Sequence, residues 1–433
     1  MSSMFHLGWF MEGFRAPAWT REWSGNSSRD WPRGQFHIDM ARDLERAGFD
    51  YFMIEDSSHI PDVYGGSMDV DLKLGRRAPK HDPLVLASII TQWTDRIGIV
   101  ATVPITETTP YSLARTMSTL DHVSGGRIGW NVVTGSQDRT AQNFGIDRQP
   151  EHDLRYDMAD DFVAAIKGLW SSWDDGALVM DESTGVYVDG QKVHPINHDG
   201  PFYKTRGPLN ALPGPQGQPV LVQAGISPRG QKFSAENVDT IIASATSVEK
   251  MKALRVSIRA HAVEAGRDPD SIKVMFLAEP VLAETDAEAA EKIERRRIAN
   301  EANYEFNLST RSSITGVDFA QFDPDEPLPA DLTTNGHQGV LKQMIETGWT
   351  LRTWAGLPAQ GIGGLDGTPE TVAAKMDEIM QEVGGDGFLI YSTVLTRRYV
   401  SEIADGLIPH LQRRGLVRDG YEFAEFRRNL LSF

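Results

Sequence analysis

The sequence contains no cysteine. That excludes disulfides, thiolate metal sites, iron–sulfur clusters and cysteine nucleophiles, and it fits a reducing compartment. Positive charge is scarce too: 43 Lys and Arg stand against 60 Asp and Glu, a formal charge of −17 over 433 residues. Non-specific nucleic-acid binding needs a positive field, so nucleic acid is not an expected partner. No stretch approaches the roughly 18–20 uncharged apolar residues that span a bilayer, so no membrane partner is expected either. Residues 1–16 lack a basic start and Glu12 interrupts their apolar run, so they do not read as a signal peptide. A cytoplasmic location is the expectation.

Several chemistries lack their motifs. No GxGxxG follows a strand, and the nearest candidate, GIGGLDG at 361–367, has the wrong spacing. There is no GxxxxGK[ST] loop and no GxSxG elbow. His194 and His198 have an HxxxH spacing, but Pro195 breaks the helix that would align them, so no metal is expected. Carboxylates are too numerous for sequence to select an acid/base pair, and no catalytic side chain is assigned.

What is present is a rhythm. β-rich runs occur at Phe5–Met11, Tyr51–Glu55, Ile97–Ile105, Arg127–Thr134, Pro219–Ala224, Thr240–Ala245, Ile272–Leu282 and Gly387–Tyr391. Helical segments follow them, near Phe36–Ala47, from Asp82-Pro83, and at Pro110–Val123, Glu151–Trp173, Pro228–Glu236, Val248–Ala265, Ala287–Asn300, Pro369–Val383 and Arg397–Arg414. The runs are mostly continuous apolar stretches, as in parallel strands buried on both faces. Eight strand–helix units predict an α/β fold, a (β/α)8 TIM barrel, with a doubly wound open sheet as the alternative. Residues 1–433 read as one barrel domain with insertions at about 174–218 and 305–366, both too long for ordinary loops.

Four strand ends carry polar groups, and a barrel's chemistry sits at the C-terminal ends of its strands. Strand two ends in Glu55-Asp56-Ser57, where Asp56 is either a loop cap or a ligand acceptor. Strand three contains Thr102, a common strand residue whose hydroxyl bonds a ligand if it faces the mouth. Strand four runs through Asn131 to Gly135, and EHDLRYD (151–157) opens the next helix with His152 and Tyr156 on one face. Strand five leads through Gly225 and Ile226 to Ser227-Pro228, an N-cap and first turn whose N–H groups, with Arg229, suit a phosphate. For each, plain capping or packing is the competing explanation.

Taken together, these stretches resemble a known family, the bacterial-luciferase-like flavin-dependent monooxygenases. More narrowly the chain is similar to the branch with nitrilotriacetate monooxygenase component A, dibenzothiophene sulfone monooxygenase, pristinamycin synthase and riboflavin lyase. The matching motifs are LERAGFDYFMIEDS (44–57), DHVSGGRIGWNVVTG (121–135), NFG (143–145), EHDLRYD (151–157), QAGISPRG (223–230), GTPETVAAK (367–375) and IPHLQRRG (408–415). They span nearly the whole chain. The resemblance implies a (β/α)8 barrel with FMN at the C-terminal face. Asp56 and Thr102 would lie near the flavin ring end, and His152, Tyr156 and Ser227 around the ribityl-phosphate end. The Gly225 and Ile226 backbones would be close by, and Asn131 lies within a matching motif. It further implies reduced FMN supplied by a separate NAD(P)H:flavin reductase, O2 as co-substrate, a flavin peroxide acting on a small organic substrate, and a homodimer or homotetramer. The alternatives are a flavin-degrading lyase of the riboflavin lyase type, a deazaflavin-dependent dehydrogenase and a non-catalytic flavin-binding barrel. The 305–366 insertion is a candidate lid, with Trp349 and Trp354 either walling a pocket or packing in a core. The first strand end and its Trp-rich loop (Trp19, Trp23, Trp31) suggest a planar or apolar substrate.

Overall fold

Apolar runs bounded by capped helices fold here into a closed ring of parallel strands. The computed structural model describes residues 4–11, 29, 31–73, 75–357, 361–393 and 395–433. The barrel strands are β1 (His6–Met11), β2 (Tyr51–Ile54), β3 (Gly98–Pro104) and β4 (Ile128–Val133). They continue with β5 (Val220–Gln223), β6 (Thr240–Ala243), β7 (Lys273–Ala278) and β8 (Gly387–Ile390). Each pairs in parallel with its neighbours in chain order, and β8 closes on β1. The sheet is therefore a (β/α)8 barrel and not an open doubly wound sheet.

Strand alternation divides the core. Tyr51, Met53, Val100, Val222, Met275, Leu277 and Leu389 cluster inside the barrel. Phe52, Ile99, Ala101, Trp130 and Phe276 belong to the layer beneath the helices. Those helices are α1 (Gln35–Arg46), α2 (Pro83–Ile90), α3 (Pro110–Ser124), α4 (His152–Trp170), α5 (Pro228–Asn237) and α6 (Val248–Glu264). Next come α7 (Asp286–Ala302), α8 (Tyr304–Thr315), α9 (Gln338–Glu346), α10 (Leu351–Gly356) and α11 (Pro369–Val383). Side-chain caps fix several starts. Asp82 accepts from the Leu84 and Val85 N–H groups at 2.8 and 3.0 Å, and Thr109, Ser227, Ser247, Thr285 and Thr368 cap likewise.

Two elements differ from the sequence expectation. The single run Ile272–Leu282 divides: β7 ends at Ala278, and Val281–Leu282 instead pairs with Asp366–Gly367. Pro280 has no N–H for a ladder, and the carboxylate of Glu279 takes the Thr393 N–H at 3.0 Å. The last helix, expected over Arg397–Arg414, contains a π-helical stretch at Glu402–Leu407, followed by Ile408–Arg413. Pro409 cannot donate to the carbonyl four residues earlier, which accounts for the change in hydrogen-bond pitch.

The first insertion is built from short hairpin strands, Leu178–Asp181 with Val186–Val188 and His198–Asp199 with Lys204–Thr205. In it His194 and His198 reach different carboxylates, Asp174 at 2.8 Å and Asp161 at 2.7 Å. The second insertion, α8 to α10, has an apolar cluster of its own: Leu308, Phe319, Leu328, Leu341, Met344, Leu351 and Trp354, joined by Tyr64 from the β2–α2 loop. At the opposite, N-terminal end, Phe426 and Leu430 plug the barrel interior.

Candidate active site

Two helix N-termini meet at the C-terminal end of the barrel. The first residue of α4, His152, brings its Nε2 within 3.4 Å of Ser227 Oγ, the cap of α5. Ser227 Oγ accepts from the Gly230 N–H at 3.1 Å, whereas α4 has no side-chain cap. Uncapped N–H groups and two helix dipoles favour an anion between them.

Tyr156 forms the floor of this cleft. It is 5% exposed, its ring lies 5.3 Å from that of His152, and Gln223 Nε2 donates to its hydroxyl at 3.2 Å. Burial raises its phenol above the usual range, opposed by the Gln223 and Ser227 hydrogen bonds, so it is a neutral hydroxyl. Glycine is required around it. A Cβ on Gly225 would collide with Gln223 Nε2 and sit 2.6 Å from the Tyr156 hydroxyl, and one on Gly230 would sit 2.7 Å from that hydroxyl. Ile226, between them, is exposed. The sequence suggests Arg229 as a phosphate contact. The structure instead directs its Nη2 to Asp157 at 2.8 Å and Asp160 at 2.5 Å, so its charge is already matched by carboxylates. Arg155 is the cation that the sequence motifs did not single out: it is buried, donates to Pro150 O at 2.6 Å, and leaves Nε without a partner among the described residues.

Thr102 and Asn131 sit opposite each other on β3 and β4, side chains inward. Asn131 Nδ2 donates to Thr102 Oγ1 at 3.0 Å, and Asn131 Oδ1 is buried with no partner among the described residues. An orphaned buried amide oxygen at a barrel mouth is an acceptor awaiting a donor. Asp56 follows β2 and lines a cavity of about 430 Å³ with Ser57, Ser58, His59, Arg77, Lys80, His81, Asp82 and Asn143. Its carboxyl is pushed up to about 6, mainly by burial; Lys80 opposes that shift and Glu55 adds to it. Lys80 itself turns to Glu55 at 2.8 Å and stands 3.9 Å from Asp56.

The second insertion is tied to the loops around this end. Asp318 accepts from the Gly65 N–H at 2.8 Å, Ser309 donates to Asp71 at 2.7 Å, and Gln137 bonds Ser313 O. The Gly361 N–H reaches Ser244, just beyond β6, at 3.3 Å. The insertion thus contacts loops after β2, β4 and β6 and covers part of the mouth. Trp354 packs within its cluster, under the guanidinium of Arg311 at 4.9 Å, while Trp349 packs on it and is exposed. Glu12, Gly13, Phe14, Trp19 and Trp23 lie outside the described residues; Trp31 is buried and packs against His81.

The luciferase-like monooxygenase family model matches residues 13–387. The chain belongs to the luciferase-like monooxygenase family. It is 36% identical over 420 residues to a dibenzothiophene-sulfone monooxygenase of Rhodococcus erythropolis, covering 94% of this chain and 91% of that protein. It is 33% identical over 410 residues to nitrilotriacetate monooxygenase component A of Aminobacter aminovorans, covering 92% and 89%. Among solved structures, a riboflavin lyase with modified FMN and its substrate riboflavin superposes with a TM-score of 0.90 at 32% identity, covering 100% and 96% of the two chains. The residues present fit a flavin mononucleotide. The glycine cradle and paired helix N-termini suit a phosphate, and the orphaned Asn131 Oδ1 suits an N–H donor on a ring.

Proposed function

We propose that this chain is the oxygenase component of a two-component system, using reduced FMN and O2 to oxidise or cleave a small organic substrate. The observation that carries it is that the Ser227–His152–Tyr156 anion cradle and the orphaned Asn131 amide lie at the same end of the barrel, on and after neighbouring strands. In this reading Ser227, His152 and the Gly225–Ile226 backbone hold the phosphate end. Asn131, Thr102 and Asp56 face the ring end. Bound reduced FMN supplies the two electrons that let O2 give one oxygen atom to the substrate, the other leaving as water. The insertion over the mouth keeps bulk water from the reacting atoms. The name "component A" of the Aminobacter relative supports a separate NAD(P)H:flavin reductase as partner.

A substrate panel incubated with a flavin reductase, FMN and NADH, read by mass spectrometry, tests the reading. Oxygen insertion or bond cleavage that requires reductase, FMN and O2 is expected. Rapid NADH oxidation by the pure chain alone would overturn it. The similarity to a riboflavin lyase supports a second reading, in which a flavin is the substrate. Release of lumichrome from riboflavin in the same assay would select it.

A further inference from the structure

The 430 Å³ cavity lined by Asp56, which the proposed function sets at the ring end, has a titratable neighbour still without a task. Glu107 lies in the loop after β3. Its Oε2 accepts from Ser58 Oγ at 2.8 Å, and its Oε1 is buried with no partner among the described residues. Ser58 lines the cavity, and its main chain is fixed by Asn143, whose Nδ2 donates to Ser58 O at 2.7 Å. The Ser58 hydroxyl thus meets a carboxyl, and Ser58 itself borders the cavity that Asp56 also lines.

We propose that Glu107 is a proton-relay residue, giving a proton through the Ser58 hydroxyl to the molecule reacting in this cavity. The relay rests on the oxygenase reading, and the stoichiometry of that reading calls for it. The monoanion of reduced FMN, one O2, one substrate and one proton give oxidised FMN, oxygenated substrate and water. The flavin provides both electrons. Its own proton and one further proton convert the departing oxygen to water. With the carboxyl protonated the 2.8 Å contact reverses, Glu107 donating to Ser58 Oγ; Ser58 then hands its own hydroxyl proton to that oxygen as it takes the proton of Glu107, and the Glu107 carboxylate recovers a proton from solvent. Glu107 touches no substrate itself; it positions and reloads the Ser58 proton.

The surroundings keep Glu107 loaded near neutrality. Its carboxyl is pushed up to about 7, chiefly by burial, with Asp56 and Asp82 adding to the shift and the Ser58 bond and Lys80 opposing it. Arg77 also borders the cavity, and Glu55 holds Lys80 at 2.8 Å. His59, lowered to about 4 by burial and then by Arg77 and Lys80, is engaged with Thr140 at 2.8 Å. His81 packs against Trp31. A general acid is most effective with a pKa near the working pH.

The test uses the full chain with carboxyl-13C glutamate and two variants, Glu107→Gln and Ser58→Ala. In the flavin-free wild type, one glutamate resonance should titrate near pH 7. It should vanish in Glu107→Gln and persist, shifted upward, in Ser58→Ala. Each protein loaded with reduced FMN is then mixed with aerated buffers across pH 5–9. This substrate-free reoxidation yields hydrogen peroxide and also consumes one proton. The wild-type rate should fall above about pH 7, and that dependence should disappear in both variants, with rates lower by roughly 100-fold at pH 6. A Glu107 resonance titrating in the ordinary carboxylate range would overturn the proposal. So would an unchanged pH profile in either variant while FMN still binds. Failure of all three proteins to bind FMN would instead sink the flavin reading, with the carboxyl titration left intact.

Discussion

Ser227 serves two ends with one oxygen. It caps α5 through the Gly230 N–H and closes the cleft against His152. Ser227→Ala removes a cap worth about 1 kcal/mol of stability, so a small fall in melting temperature is expected. The same change should weaken FMN roughly tenfold, the equivalent of about 1.4 kcal/mol, in a fluorescence titration. An unchanged dissociation constant would remove Ser227 from the phosphate site. Asp56 makes a pH prediction. Its folded carboxyl, at about 6, holds a proton more tightly than the usual 3.8. The unfolded chain therefore binds fewer protons between those values, and stability falls as pH rises from about 4 to 6. Asp56→Asn should melt higher than wild type at pH 8 and equally at pH 4; equal melting at both would contradict the raised carboxyl. The Ser-Pro cap and the EHDLRYD face were legible because capping is a local interaction. Glu107 and Arg155 were not, because a carboxylate in a loop and a cation on a helix acquire roles only from the groups brought against them.

The second insertion behaves as an element with its own core and a few polar ties. Asp71, fully buried, pairs with Arg76 and accepts from Ser309 of α8. Removing one partner of a buried pair costs about 3–5 kcal/mol, because a charge stays behind unmatched. Asp71→Ala should therefore loosen α8 to α10, raising amide hydrogen exchange there while leaving β3 to β6 protected. Uniform exchange across the chain would show that the insertion is not tied down at this point. Most helix starts were visible as Thr, Ser or Asp followed by Pro or a helical pattern. The π-helical stretch and the division of strand seven were not, although Pro409 and Pro280 marked the places. Proline states that a hydrogen bond is missing; only the packed neighbours decide whether the chain bends, bulges or leaves the sheet.

For the whole molecule, the closure of the barrel depends on residues distant in sequence. The ring of Phe426 fills the N-terminal end so closely that a Cβ on Gly98 would lie 2.5 Å from it. Lys273 Nζ donates to Phe433 O at 2.7 Å, and the His6 ring stacks on Phe433 at 4.2 Å. Nearby, buried Asp50 joins His6 at 3.0 Å and Arg418 at 2.6 Å. Phe426→Ala opens a cavity inside the barrel and should cost about 3–5 kcal/mol, read as a lower midpoint in chemical denaturation. A midpoint within error of wild type would mean that the end collapses around the smaller side chain. Net charge has a different reach. At −17 it bears on solubility and on repulsion of polyanions, yet the cleft at His152 and Ser227 is built from helix N-termini that no charge count includes.

Residues close together along the chain were enough to specify the eight strand–helix units, the capped helix starts and the motif order that resembles the luciferase-like family. Packing alone settled that Arg229 faces Asp157 and Asp160 and that Asn131 Oδ1 is left without a partner among the described residues. It also settled that Glu107 meets Ser58 beside a cavity and that Phe426 plugs the far end. Hydrogen-bond satisfaction and the cost of burying charge depend on which groups share a small volume, and closing the barrel is what sets that volume.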